Sequence, residues 1–167
     1  YIALGHDYPG VPEQPDRGEA LRLLAPLLAD PSVSKVGQNI KYDMLVLARR
    51  GVEVRGIAFD TMVASYLLNP SKRAHNLDQI AMDFLGHKTI AYEDVVGKGK
   101  KAAGFNTVLL DNAVPYACED ADITLKAYQV LEPAIGEAGL SELMETVEMP
   151  LVPVLMRMEM AGISVDR

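Results

Sequence analysis

Two carboxylates and one phenol carry the chemistry this sequence could do. In "YACEDAD", Tyr116 and Asp120 stand four residues apart, which on a helix puts both on one face, one turn above the other. A carboxylate there can bind Mg²⁺, and a hydroxyl beside it can orient a water on the ion. The pattern is short, and a core Tyr beside a surface Asp has the same spacing. Asp43 closes "KVGQNIKYD", where a β-prone run from Val36 to Gln38 gives way to Asn39, Tyr42 and Asp43. An Asp there suits a helix start facing the macrodipole. It equally suits a ligand site, because open α/β sheets hold ligands beyond the carboxyl ends of their strands. One carboxylate after a strand and another on a late helix could converge on metal. Two such ions suit phosphodiester cleavage. Glu119 and Asp122 point off this face, toward solvent.

These residues need elements to hold them. Residues 1–8 read as the end of a strand, followed by a Pro-rich loop from Pro9 to Gly18. "EALRLLAPLLAD" has a helical apolar period, and a short strand follows at about 33–37. A helix over about 41–50 ends at Gly51. "RGIAFD" is a second strand, and Asp60 or Thr61 caps the helix "TMVASYLLN", which Pro70 stops. Another helix starts near Asn76 and runs through "LDQIAMDFLG". Alternation of helix and strand predicts an α/β layered domain. Residues 86–105 have no sustained period and read as an exposed loop with one helical turn. Helix resumes after Asn106, with Pro115 marking a bend or a new start. Ser141 to Ala161 is an amphipathic, Met-rich helix.

Composition sets limits. The 167 residues suffice for one domain with a core, and 49% hydrophobic with 23% charged residues is ordinary for a globular protein. No apolar stretch reaches the ~20 residues of a membrane span. Net charge is −7, so bulk positive charge is not how this chain would hold a nucleic acid. A divalent cation is the natural intermediary. The single Cys118 rules out an internal disulfide and a cysteine-based zinc cluster, which fits a reducing cytoplasm. The chain opens on a strand-like "YIALGHDYP" and closes on "MEMAGISVDR", which reads as a domain cut from something longer.

Taken together, "KVGQNIKYD", "GIAFDTMVASYLLNP", "GKGK", "YACEDADITL" and "EMPLVPVLMRMEMAGI" give the chain a marked similarity to a family. It resembles the 3′→5′ proofreading exonuclease domain of bacterial family A DNA polymerases, a DEDD exonuclease of the subtype with a catalytic Tyr. The resemblance runs from about His6 to Arg167. It implies a ribonuclease H-like α/β fold, a mixed sheet flanked by helices, with the N-terminal strands missing from this chain. The exonuclease domain would occupy residues 1–140, and residues 141–167 would lead into the polymerase thumb.

The resemblance also implies roles. Asp120 would bind one Mg²⁺ or Mn²⁺ directly, Asp43 would contribute to a second through water, and Tyr116 would orient the attacking water. Gln38, Asn39 and Tyr42 would approach the terminal nucleotides, and Tyr92 would lie against the terminal base. The substrate would be a single-stranded or frayed DNA 3′ end, the partner the polymerase domain of the same parent, and the compartment the bacterial cytoplasm. The family's first motif, an Asp-x-Glu, would lie upstream of Tyr1, leaving half a catalytic site here and an exposed sheet edge. A DEDD ribonuclease and a catalytically silent structural module remain open alternatives.

Other features carry less. "GKGKK", Gly97 to Lys101, lacks the spacing of a phosphate-cradling loop and reads as a solvated segment. His75 with Asp78 could touch DNA, or His75 or Asn76 could simply start a helix. His6 and His87 are isolated and have no assigned role. Cys118 reads as a small core residue, and the terminal methionines as packing surface against the polymerase.

Overall fold

A computed structural model describes residues 1–99 and 103–164. Lys100 and Lys101 of "GKGKK" lie outside the described residues.

The order of elements is α1 (Arg17–Ala29), β1 (Lys35–Gly37), α2 (Ile40–Ala48), β2 (Ile57–Asp60), α3 (Thr61–Leu68) and α4 (Leu77–Ile80). After these come α5 (Tyr92–Val96), α6 (Leu110–Glu137), α7 (Ser141–Leu143) and α8 (Met149–Ala161). A wider π-type turn, Ala81–Leu85, extends α4, and another, Met144–Glu148, joins α7 to α8. Among the described residues the sheet is two parallel strands, with Val36 opposite Phe59 and Gly37 opposite Asp60. Parallel strands need a crossover, which α2 supplies. Gly37 is dictated by contact: a Cβ there would fall 2.8 Å from that of Ile40.

The main core collects Ile40 and Met44 of α2, Phe59 of β2, Ala64 of α3, Ile80 of α4 and Ala127, Leu131 and Ile135 of α6. Met144, Met149 and Val152 complete it, so the C-terminal helices pack on this domain. The Met-rich segment is therefore divided: Met144 and Met149 are core, whereas Met158 and Met160 remain exposed. Lys41 of α2 pairs with Glu159 of α8 across the same junction. A smaller cluster joins Val96 of α5 to Val108 and Ala113.

Three local expectations give way. Residues 1–8 form no strand. The Gln14 side chain takes the place of a ladder there, accepting from Gly5 N and His6 N and donating to His6 O. His6, which looks isolated in sequence, is buried, with Nδ1 2.9 Å from the Val108 carbonyl. Pro115 starts no new helix but lies in the second turn of α6. Only the Asp111 carbonyl loses its donor, and Asp111 is exposed to water.

Candidate active site

The start of α2 is built by a residue from another element. Asn39 is its N-cap, held in the left-handed region at φ 54°, and its own side chain makes no capping bond. The Asp60 carboxylate does that work, accepting from Asn39 N at 3.1 Å and Ile40 N at 2.8 Å. It also caps α3, accepting from Met62 N and Val63 N. One buried carboxylate thus ties two helix starts to the end of β2, and Asp43 follows one turn into α2. The sequence offers Asp60 or Thr61 as the α3 cap, and the structure selects Asp60; its α2 cap is not legible because nothing local links Asp60 to a turn twenty residues earlier.

On α6 the buried Ile123, Ala127, Leu131 and Ile135 fall at helical spacing, and Asp120 and Tyr116 extend that stripe toward the N-terminus. Where the stripe leaves the core it opens into a cleft of about 610 Å³ between α6, the end of β1 and the start of α4. Asp43, Asp78, Tyr116 and Asp120 all line it, and among the described residues no Lys, Arg or His does. The cleft therefore unites the three catalytic candidates, Asp43, Tyr116 and Asp120, with Gln38 and with the Asp78 that the sequence paired with His75. Cys118, expected in the core, is exposed because it lies off the stripe.

The remaining candidates divide by what their polar atoms already do. Gln38 lines the cleft, yet its Nε2 donates to the His75 carbonyl at 2.9 Å and its Oε1 accepts from the Thr61 hydroxyl at 2.5 Å. It braces β1 against the 75–78 segment, where His75 Nδ1 lies 2.9 Å from the Ser65 hydroxyl. Asn76 caps α4, accepting from Gln79 N. Tyr42 is exposed beside Asp43, off the cleft lining. Tyr92 stands at the rim, half exposed, its ring centroid 6.0 Å from that of Tyr116 and stacked on Phe105. Glu119 corrects the sequence reading: it does not reach into solvent but accepts from Ile90 N at 2.6 Å and contacts His87 Nε2 at 2.9 Å. Asp122 does face solvent, paired with Lys126.

The electrostatics of the cleft are those of desolvated carboxylates. Desolvation by the walls raises the Asp43 carboxyl above its ordinary range even though solvent reaches it, and Asp60 adds to the rise. Desolvation raises Asp120 too, with Asp78 and Glu119 reinforcing it and the Tyr116 hydroxyl opposing it. Tyr116 is pushed well up, first by burial and then by Asp120, so it remains a neutral hydroxyl.

A carboxyl raised by folding stabilises the fold while protonated, and that contribution is lost as pH rises through the raised value. The metal-free protein should thus gain stability when one of these charges is removed. In EDTA at pH 7–8, Asp120→Asn should melt above the parent, and the difference should shrink below about pH 4, the ordinary carboxyl range. Melts across pH check this. A variant that melts lower at neutral pH would refute it.

The two parallel strands with their crossover helix, and the acidic cleft where they meet α6, define an α/β domain of the nuclease type. The comparisons agree: the family model of the 3′-5′ exonuclease matches residues 5–136, and the chain belongs to that family. It is 47% identical to DNA polymerase I of Pseudomonas aeruginosa over 99% of this chain and 18% of that protein. It is 50% identical to DNA polymerase I of Rhizobium leguminosarum over 89% of this chain and 15% of that protein. The chain thus spans less than a fifth of the length of these relatives. A solved polymerase structure, the POL domain of Pol1 from M. smegmatis in complex with DNA primer-template and dNTP, superposes with a TM-score of 0.73. That match has 27% identity and covers 91% of this chain and 23% of that one. Brucella melitensis NrnC shares the fold at a TM-score of 0.70 and 23% identity, covering 92% of this chain and 68% of its own. The fold is the ribonuclease H-like exonuclease fold. No helix among the described residues is long and apolar enough to cross a membrane.

Proposed function

We propose that this chain is the 3′→5′ exonuclease part of a DNA polymerase I, hydrolysing the 3′-terminal nucleotide of single-stranded or frayed DNA. One observation carries the reading: Asp43, Asp120 and Tyr116 meet in a single cleft whose lining, among the described residues, holds no basic side chain. Carboxylates crowded and desolvated in this way are suited to divalent cations, and their oxygens are the hard donors Mg²⁺ and Mn²⁺ prefer. Asp120 and Asp43 would hold the metal. Among the described residues no group of three or more His, Cys, Asp or Glu side chains is placed to hold an ion. The set is completed, in this reading, by water, the substrate phosphate and an Asp-x-Glu pair from the parent protein.

When bound, two such ions supply charge to the phosphate undergoing displacement and make water a better nucleophile. The chain's own residues do the rest. Tyr116 keeps its proton and orients the attacking water with its oxygen, and the wall of α6 holds Tyr116 and Asp120 in register. Tyr92 offers a face to the terminal base, which suits proofreading because stacking tolerates any base. The Asn39 side chain, unused by its helix, and the exposed Tyr42 are free to contact the terminal nucleotides, whereas Gln38 acts through its braced position.

Residues 1–140 would form the exonuclease domain and residues 141–167 the helix leading toward the polymerase thumb, with the exposed Met158 and Met160 facing that partner. One free thiol, with no second cysteine in the sequence, suits a reducing bacterial cytoplasm.

The test is Mg²⁺-dependent shortening of a 5′-labelled single-stranded oligonucleotide by the full-length gene product that contains these residues. Stepwise loss from the 3′ end is expected, slowed about 10-fold or more by Tyr116→Phe, as for a group that positions a proton or water. A folded, metal-supplied protein that leaves the DNA intact would make the domain a structural module instead. Shortening of RNA in preference to DNA would point to a ribonuclease.

A further inference from the structure

The segment between the π-type turn Ala81–Leu85 and α5 has no regular structure of its own, yet it is fastened at two points. Glu119 Oε2 accepts from Ile90 N at 2.6 Å, and Glu119 Oε1 lies 2.9 Å from His87 Nε2. Thr89 donates from its hydroxyl to Asp78 at 2.6 Å. The two anchors belong to different helices, α6 and α4. Directly after them comes α5, whose first residue is Tyr92. A helix of five residues cannot hold itself in water. Its far end is pinned where Val96 enters the smaller core, and its near end has the Glu119 tether.

The tether has a consequence at the cleft rim. The Tyr92 ring lies 6.0 Å from that of Tyr116 and is stacked at 14° on Phe105. Glu119 sits on α6 between Tyr116 and Asp120, so the helix that carries the reacting groups also holds the segment that presents the aromatic face. The Glu119 side chain is only 19% exposed, whereas both side chains of the Asp122–Lys126 pair on the same helix are 55% exposed. Its interaction with a main-chain N–H fixes backbone rather than another mobile side chain.

We propose that Glu119 is a positioning residue: by clamping His87–Ile90 to α6 it sets the Tyr92 face against Tyr116, and so sets where the 3′-terminal base rests. This rests on the exonuclease reading of the cleft. Glu119 lies outside the cleft lining, and its loss should be felt in substrate binding.

The experiment compares Glu119→Ala, Glu119→Gln, Tyr92→Ala and the Glu119→Ala/Tyr92→Ala double variant in the full-length protein, with single-stranded DNA and Mg²⁺. Loss of one stacked base predicts a KM for Glu119→Ala about 10-fold higher, with kcat little changed. Gln keeps an oxygen for Ile90 N–H and should restore most of the affinity. The double variant should be no worse than Tyr92→Ala, because both changes cut one path. If Glu119→Ala unfolds at the assay temperature, His87→Ala, which removes only the side-chain half of the tether, should still raise KM. An active parent in which KM is unchanged, or in which the two changes multiply, overturns the positioning role alone. A parent with no exonuclease activity overturns the reading of the cleft and this proposal with it.

Discussion

Replacing Asp120 with Ala in the full-length protein should lower 3′→5′ exonuclease activity on single-stranded DNA by about 10³-fold, several kcal/mol of transition-state stabilisation. The size follows from position. Asp120 is one of three helix-borne carboxylates, with Asp43 and Asp78, that line a cleft without a basic side chain among the described residues, and it neighbours Tyr116. Its removal subtracts a donor from a site where no described group of three metal-binding side chains offers a substitute. A merely structural residue would behave differently. Its loss would lower the melting temperature and reduce activity in proportion to the unfolded fraction. Asp120 has the opposite profile: its charge is disfavoured by the fold, so neutralising it should leave the metal-free protein as stable or more so. Loss of activity combined with unchanged or raised Tm in EDTA is the expected pair of results. Added Mg²⁺ should then raise the Tm of the parent more than that of the variant, because an ion stabilises the state it binds. Activity within tenfold of the parent would remove Asp120 from the catalytic assignment.

What could be read from sequence, and what could not, follows from the range of the interactions. The α2, α3 and α6 helices rest on apolar periodicity and turn residues close in sequence, and their ends fall within a few residues of the expected places. Tyr116 and Asp120 were legible for the same reason, since four-residue spacing on a helix is a local fact. The likeness to known phrases placed Asp43 beside them, and the geometry brings all three into one cleft. The failures are long-range. Residues 1–8 have the composition of a strand, but a strand is defined by its neighbour, and here the Gln14 side chain takes the available bonds. Glu119 looked like surface because its partner is a backbone N–H twenty-nine residues away. Cys118 looked like core from its type, whereas helix phase decides the matter and turns it outward. Gln38 carried a polar side chain beside the site, and no pattern in sequence reveals that its amide is already engaged at both ends.

The largest effect on stability should come from Asp60, a residue with no direct part in the chemistry. Its side chain is 1% exposed and accepts from the backbone N–H groups of Asn39, Ile40, Met62 and Val63. Those donors are unsatisfied starts of two helices, and no water replaces a partner at such a depth without a cavity. A single lost cap costs about 0.5–2 kcal/mol, and a buried donor left unpaired about 1–3 kcal/mol. Asp60→Ala removes two caps at once and should therefore destabilise by roughly 3–4 kcal/mol, a fall in Tm on the order of 10 °C for a domain of this size. Asp60→Asn separates the two helices. Its one remaining carbonyl oxygen, in the Oδ1 place, can keep Met62 N, Val63 N and Asn39 N, but its NH₂ then faces the donor of Ile40. About half the loss is expected, roughly 2 kcal/mol. Because the unpaired Ile40 donor stands in the first turn of α2, the start of that helix is loosened and Asp43, one turn on, loses its fixed place. The Asn variant, assayed well below its Tm, should accordingly lose exonuclease activity beyond what its unfolded fraction explains, while chemical denaturation gives the stability cost separately. If Asp60→Asn matches the parent in both measurements, the shared cap is not what positions Asp43, and α2 must be held by its packing of Ile40 and Met44 alone.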